Sequence, residues 1–128
     1  ATNMLIPGTI WADYHKEVGK LMTSELLDLG LLDKADVQNE DPNWPAYKKY
    51  FMHGTSHHMG LDTHDYGLLW EPMKTNMVFT VEPGIYIPEE GFGIRLEDDV
   101  VIQEKGAPLN LMKNIPIAIE EIEDIMNS

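Results

Sequence analysis

Between Trp11 and Leu32 the apolar residues Trp11, Tyr14, Val18, Leu21, Met22, Leu26, Leu29 and Leu32 recur at spacings of three and four. This is the period of an amphipathic helix, and a helix with one apolar face must lay that face on another element. Pro7-Gly8 bars helix upstream, Thr9 is the expected N-cap, and Gly30 followed by apolar Leu31 suits a left-handed C-terminal cap. The element to cover is found downstream of Lys74. There Met77-Val-Phe-Thr-Val81 and Ile85-Tyr-Ile87, the turn-rich Pro88–Gly93 and the run Ile94–Ile102 read as antiparallel sheet. The polar stretch Asp33–Asn43 reads as a loop, after which Pro45 opens a short helix through Tyr50 and Phe51 that leads to His53. At the end, Ile115, Ile119, Ile122, Ile125 and Met126 space out as a closing amphipathic helix, with Glu120, Glu121, Glu123 and Asp124 turned outward. A helix, a sheet and a closing helix make an α+β class. No internal repeat or linker divides residues 1–128, so they are read as one unit.

Composition narrows the partners. Nine basic residues against 22 acidic ones give a formal charge of −13, a field that repels phosphate backbones and anionic lipid surfaces. Nucleic acid and membrane are therefore not expected as partners. No cysteine is present, which excludes a disulfide framework and thiolate chemistry. No apolar run approaches the ~18 residues of a membrane span, and no signal-peptide pattern opens the chain. Cytoplasmic location is the default expectation.

Four of the five histidines, His53, His57, His58 and His64, fall within HGTSHHMGLDTH. Neutral imidazole is a good donor to Zn²⁺, Mn²⁺ or Co²⁺, and near neutral pH it exchanges protons readily. Read blandly, His53 and His64 are loop residues with ordinary hydrogen bonds and His58 lies on the surface. Glu82 follows an apolar strand in Thr80-Val-Glu-Pro-Gly84, where a turn holds it either inside or solvated at a rim. In Gly93-Ile-Arg-Leu-Glu-Asp-Asp99, strand alternation puts Arg95, Glu97 and Asp99 on one face, either as a simple ion pair or as part of a site. A histidine with two strand carboxylates is the ligand set that a hydrolytic metal pair requires, and the combination favours metal.

HGTSHHMGLDTHD, MVFTVEPGIYI and GIRLEDDVVI, in this order, closely resemble the later motifs of Xaa-Pro aminopeptidases (aminopeptidase P) and prolidases of the pita-bread metallopeptidase family. The resemblance runs along the whole chain. It implies the C-terminal half of a pita-bread fold, an antiparallel sheet with helices packed on one side. It implies that His57 and Glu82 ligate one metal, that Glu97 bridges two, and that Glu82 also shuttles a proton. By the same resemblance His53 and His64 line the substrate site and stabilise the tetrahedral intermediate, while Tyr86 and Arg95 support the carboxylates. His58 departs from the pattern, since many relatives carry a bulky aromatic there.

The implied cofactor is a pair of divalent ions, manganese foremost, with cobalt or zinc also accommodated. The implied substrate is a peptide with proline at its second position. The family takes two further ligands, both Asp, from an earlier half of the fold. Asp13, Asp28, Asp33, Asp36 and Asp41 lie on or just after the first helix and do not replace them. A complete pita-bread domain needs roughly twice this length. The chain is accordingly expected to be a partial catalytic domain, inactive alone, holding at most one weakly bound ion, and prone to form homo-oligomers through the surface meant for its missing half. Methionine aminopeptidase-like or creatinase-like hydrolases, and metal-free peptide-binding modules of the same fold, are the alternatives.

Overall fold

A computed structural model describes all 128 residues. Helix α1 spans Trp11–Asp28 and buries Tyr14, Val18, Met22 and Leu26, a strict four-residue stripe. The stripe is narrower than the sequence suggested, because Leu21 and Leu29 lie at its margins and Leu29 is 63% exposed. Gly19 sits on the same face, where a Cβ would stand only 2.8 Å from the Tyr47 ring. Thr9 is not the N-cap. Extended Ile10 takes that position without a side-chain bond, and the Thr9 hydroxyl donates instead to Met4 O at 3.1 Å. The other end follows the expectation: Gly30 is left-handed at φ +71°, and the N–H groups of Leu31 and Leu32 both reach Leu26 O.

Asp33–Asn43 is not all loop. It contains a short helix α2, Lys34–Gln38, whose start is held by reciprocal bonds. Asp33 accepts from the Asp36 N–H at 2.8 Å and Asp36 accepts from the Asp33 N–H at 2.9 Å, a capping box in which Asp replaces the usual Glu. After Pro45 a single 3₁₀ turn, Ala46–Lys49, replaces the expected helix and leads to His53.

The run Ile94–Ile102 is two strands rather than one. Strands β1 (Val78–Val81), β4 (Asp98–Val101) and β5 (Leu109–Asn110) form one antiparallel sheet in the order β1-β4-β5. Strands β2 (Gly84–Ile87) and β3 (Phe92–Arg95) form a separate hairpin, turned by Pro88–Glu90 and left-handed Gly91. The pairings Val81↔Asp98 and Gly84↔Arg95 nevertheless belong to one continuous register. The ladder lapses for only two rungs, at Glu82-Pro83 and Leu96-Glu97. Pro83 has no N–H to offer, and the Glu82 N–H is spent on Thr55 O at 2.7 Å.

Helix α1 packs on one side of β1–β4. The core joins Leu5, Tyr14, Val18 and Met22 to Phe51, Met73, Phe79, Val81, Val100 and Ile102, and a second cluster of Leu26, Leu32 and Tyr50 extends it. Each such side chain contributes about 1.5–3 kcal/mol on full burial. The last helix, α3, spans Ile119–Met126 and turns its acidic residues outward as expected, but it closes no core. Ile119, Ile122, Ile125 and Met126 are all exposed, because no other element reaches that face.

Candidate metal centre

Residues 55–59 run antiparallel beside β1. Thr55 O accepts from the Glu82 N–H, His57 O accepts from the Thr80 N–H at 3.1 Å, and the Met59 N–H donates to Val78 O. This pairing carries the histidine segment to the break in the ladder, where the register sets Glu82 opposite Glu97. Donor atoms of His57, Glu82 and Glu97 all lie within 4.8 Å of one another. His57 Nε2 stands 3.1 Å from Glu82 Oε1. Arg95 spans the pair, with Nη1 3.2 Å from Glu82 Oε2 and Nη2 3.6 Å from Glu97 Oε2. Glu82 is tucked in, its side chain 12% exposed, against 40% for Glu97 and 48% for Arg95.

Two features make this arrangement fit a divalent cation. Like charges on facing strand positions repel, and Arg95 supplies one positive charge against two carboxylates. His57 Nδ1 lies 2.9 Å from His58 O, and a carbonyl only accepts, so Nδ1 carries the hydrogen. That leaves Nε2, the nitrogen facing the Glu82 carboxylate, as the ring atom that would meet a cation. A backbone carbonyl on the far nitrogen is also the usual way a ligating histidine is oriented. Nitrogen and carboxylate ligands of this kind suit Mn²⁺, Co²⁺ or Zn²⁺.

A model of metallopeptidase family M24 matches residues 1–104. The chain belongs to that family. Among relatives, this M24 chain is 43% identical to the Xaa-Pro aminopeptidase of Escherichia coli over 132 residues, covering 94% of the chain and 29% of that protein. It is 37% identical to the Xaa-Pro aminopeptidase of Haemophilus influenzae over 139 residues, covering 99% of the chain and 32% of that protein. The solved structure of Escherichia coli aminopeptidase P with the inhibitor Pro-Leu superposes with a TM-score of 0.79 at 39% identity, over 98% of this chain and 30% of the other. The fold is thus the pita-bread architecture in part, and the chain spans about a third or less of the length of these relatives.

Around the three candidate ligands, the M24 chain brings some expected residues together and holds others apart. The His64 ring meets His57 edge-on, with centroids 4.3 Å apart. His53 lies in a pair of its own: Nδ1 donates to Gly54 O at 2.7 Å, and Nε2 accepts from the Tyr86 hydroxyl at 2.9 Å. The Tyr86 hydroxyl therefore goes to a histidine, while Arg95 touches both carboxylates. His58 lies 4.4 Å from the Phe79 ring, centroid to centroid, and 6.3 Å from Trp11, taking an aromatic's place in an aromatic wall. Burial holds its pKa below the ordinary histidine value, a shift that Asp65 opposes and His57 reinforces. Gly67 makes room for this ring, since a Cβ there would fall 1.9 Å from His58 Cδ2. Neither Gly67 nor Thr80 was singled out from sequence. For Thr80 a signal existed, because it stands two residues before Glu82 and so shares its face of the strand.

Proposed function

We propose that the protein containing this chain is a dinuclear metal-dependent aminopeptidase that hydrolyses the N-terminal Xaa-Pro bond of peptides. The observation that carries the reading is the convergence of His57, Glu82 and Glu97 donor atoms within 4.8 Å at the one lapse in the ladder. In this reading His57 and Glu82 would hold one ion of the pair and Glu97 would serve both, with manganese the foremost candidate. When bound, such a pair supplies Lewis acidity that lowers the pKa of water and polarises a peptide carbonyl. Glu82 takes the proton given up by the attacking water and passes it to the leaving imino nitrogen, and Arg95 keeps the two carboxylates at their separation. His64, against His57, stabilises charge developing on the scissile carbonyl. For His53 to donate there as well, its hydrogen must move from Nδ1, where it bonds Gly54 O, to Nε2, which must also leave the Tyr86 hydroxyl.

Similarity to Xaa-Pro aminopeptidases of two bacteria supports the choice of substrate. Two further Asp ligands belong to the preceding part of the catalytic domain, and this chain alone is inactive in the same reading. No helix is long and apolar enough to cross a membrane, and a cytoplasmic location is part of the proposal. So is homo-oligomer formation by the isolated chain, supported by an open apolar groove of about 660 Å³ between α1 and the β2–β3 hairpin, lined by Met22, Leu29, Phe92, Ile94 and Leu96. A metal-free binding module is disfavoured, because such a module has no need to keep all three candidate ligands together.

The deciding experiment is hydrolysis of an Xaa-Pro peptide by the full-length, Mn²⁺-loaded protein, with Glu97→Ala as comparison. Turnover that vanishes in the variant is expected. A folded, metal-loaded protein that cleaves only peptides without proline, or none, overturns the proposal.

A further inference from the structure

We propose that Thr80 is a positioning residue for the metal centre, its hydroxyl joining the backbone that carries His57 to the carboxylate of Glu82. This rests on the metal-site reading above and names a residue that reading does not use. Thr80 is 1% exposed, in the middle of the best-buried stretch of β1. Its Oγ1 accepts from the His57 N–H at 3.0 Å and donates to Glu82 Oε1 at 3.3 Å. A hydroxyl has a single hydrogen, and a backbone N–H can only donate, so the His57 contact leaves that hydrogen free to turn to the carboxylate. The backbone N–H of Thr80 meanwhile holds His57 O. His57 is therefore gripped on both its main-chain groups by one residue.

The oxygen that Thr80 holds is the one facing His57 Nε2, while the other, Oε2, faces Arg95. The Glu82 carboxylate is thus pinned from two sides, Oε1 by a buried neutral hydroxyl and Oε2 by an exposed guanidinium. The buried contact is the more rigid of the two, since Thr80 is β-branched and packed, whereas Arg95 is half exposed. Groups that orient metal ligands in this way typically change metal affinity on the order of 10–100-fold when removed.

The test is Mn²⁺ affinity by calorimetry, and the visible spectrum after Co²⁺ loading, for the full-length protein and its Thr80→Ser, Thr80→Ala and Thr80→Val variants. Thr80→Ser keeps the hydroxyl and is expected to bind like the parent. Thr80→Val keeps the shape and is expected to lose affinity on the order of 10–100-fold, with a shifted Co²⁺ spectrum. Thr80→Ala leaves space for a water at the His57 N–H, so it stays testable if Thr80→Val fails to fold, and it is expected to fall between the two. In a Glu82→Ala background the part of the Thr80 effect that runs through the carboxylate should be lost, leaving only what runs through the His57 N–H. Parent-like affinity and spectrum in Thr80→Ala or Thr80→Val, or an equal loss in Thr80→Ser, overturns the positioning role and leaves the metal site standing. Absence of Mn²⁺ and Co²⁺ binding by the parent protein overturns both.

Discussion

The two halves of the interrupted ladder share one register but differ in environment. β1 is buried along most of its length beneath α1, whereas every residue of β3 is exposed. The candidate ligands follow that division. Glu82 leaves the buried half, braced by Thr80 and Thr55, while Arg95 and Glu97 come from the exposed half. One side of the candidate centre is preorganised by the core, and the other stands on exposed strand. Enzyme sites are commonly rigid where ligands must be held and open where substrate must enter, and under the proposed function both conditions meet at a break two rungs wide.

The sharpest way to break this comparison is a pair of matched truncations followed by denaturant unfolding. Phe79→Ala on β1 removes a fully buried ring and should cost about 3–5 kcal/mol. Phe92→Ala on β3 removes a half-exposed one and should stay within about 0.5 kcal/mol. Equal losses would mean that the hairpin is as well buried as the sheet in solution. Next in size, Gly67→Ala drives a methyl group into the His58 ring that packs on Phe79, and should cost about 1–3 kcal/mol. His58→Ala should relieve most of that cost when combined with it. Gly30→Ala, at the left-handed end of α1, meets no neighbouring atom, so only backbone strain is expected, about 1 kcal/mol. A thermal melt resolves it.

The smallest effect concerns pH. His15 meets Trp11 edge-on and stacks on Tyr14 within the α1 layer, and burial, then the nearby charge of Lys48, hold its pKa below 6.5. The folded protein therefore resists protonation that the unfolded chain accepts. The stability contributed by neutral His15 is fully present above about pH 6.5 and declines as pH falls toward the lowered folded value. His15→Gln should flatten the stability profile in that window. An unchanged slope would place His15 in a more solvated setting than the buried layer offers.

Much of this was legible from residue order. Helix α1 follows from its four-residue apolar spacing, its end from Gly30, and the hairpin from alternation around Pro88–Gly93, because these depend on bonds between near neighbours. The approximate centre was legible too, since the histidine cluster and both carboxylates carry chemistry that packing seldom demands. Local reading failed where distant segments decided the outcome. Thr9 lost the N-cap to Ile10 because its hydroxyl found Met4 O, and the periodicity of α3 says nothing about whether a surface lies beneath it. Above all, a strand's own sequence does not reveal its register. That Glu82 faces Glu97, that Arg95 spans them, and that Thr80 links two candidate ligands were settled only when three segments remote in sequence were paired rung by rung, since hydrogen-bond pairing fixes position across a sheet while side-chain pattern fixes only the face.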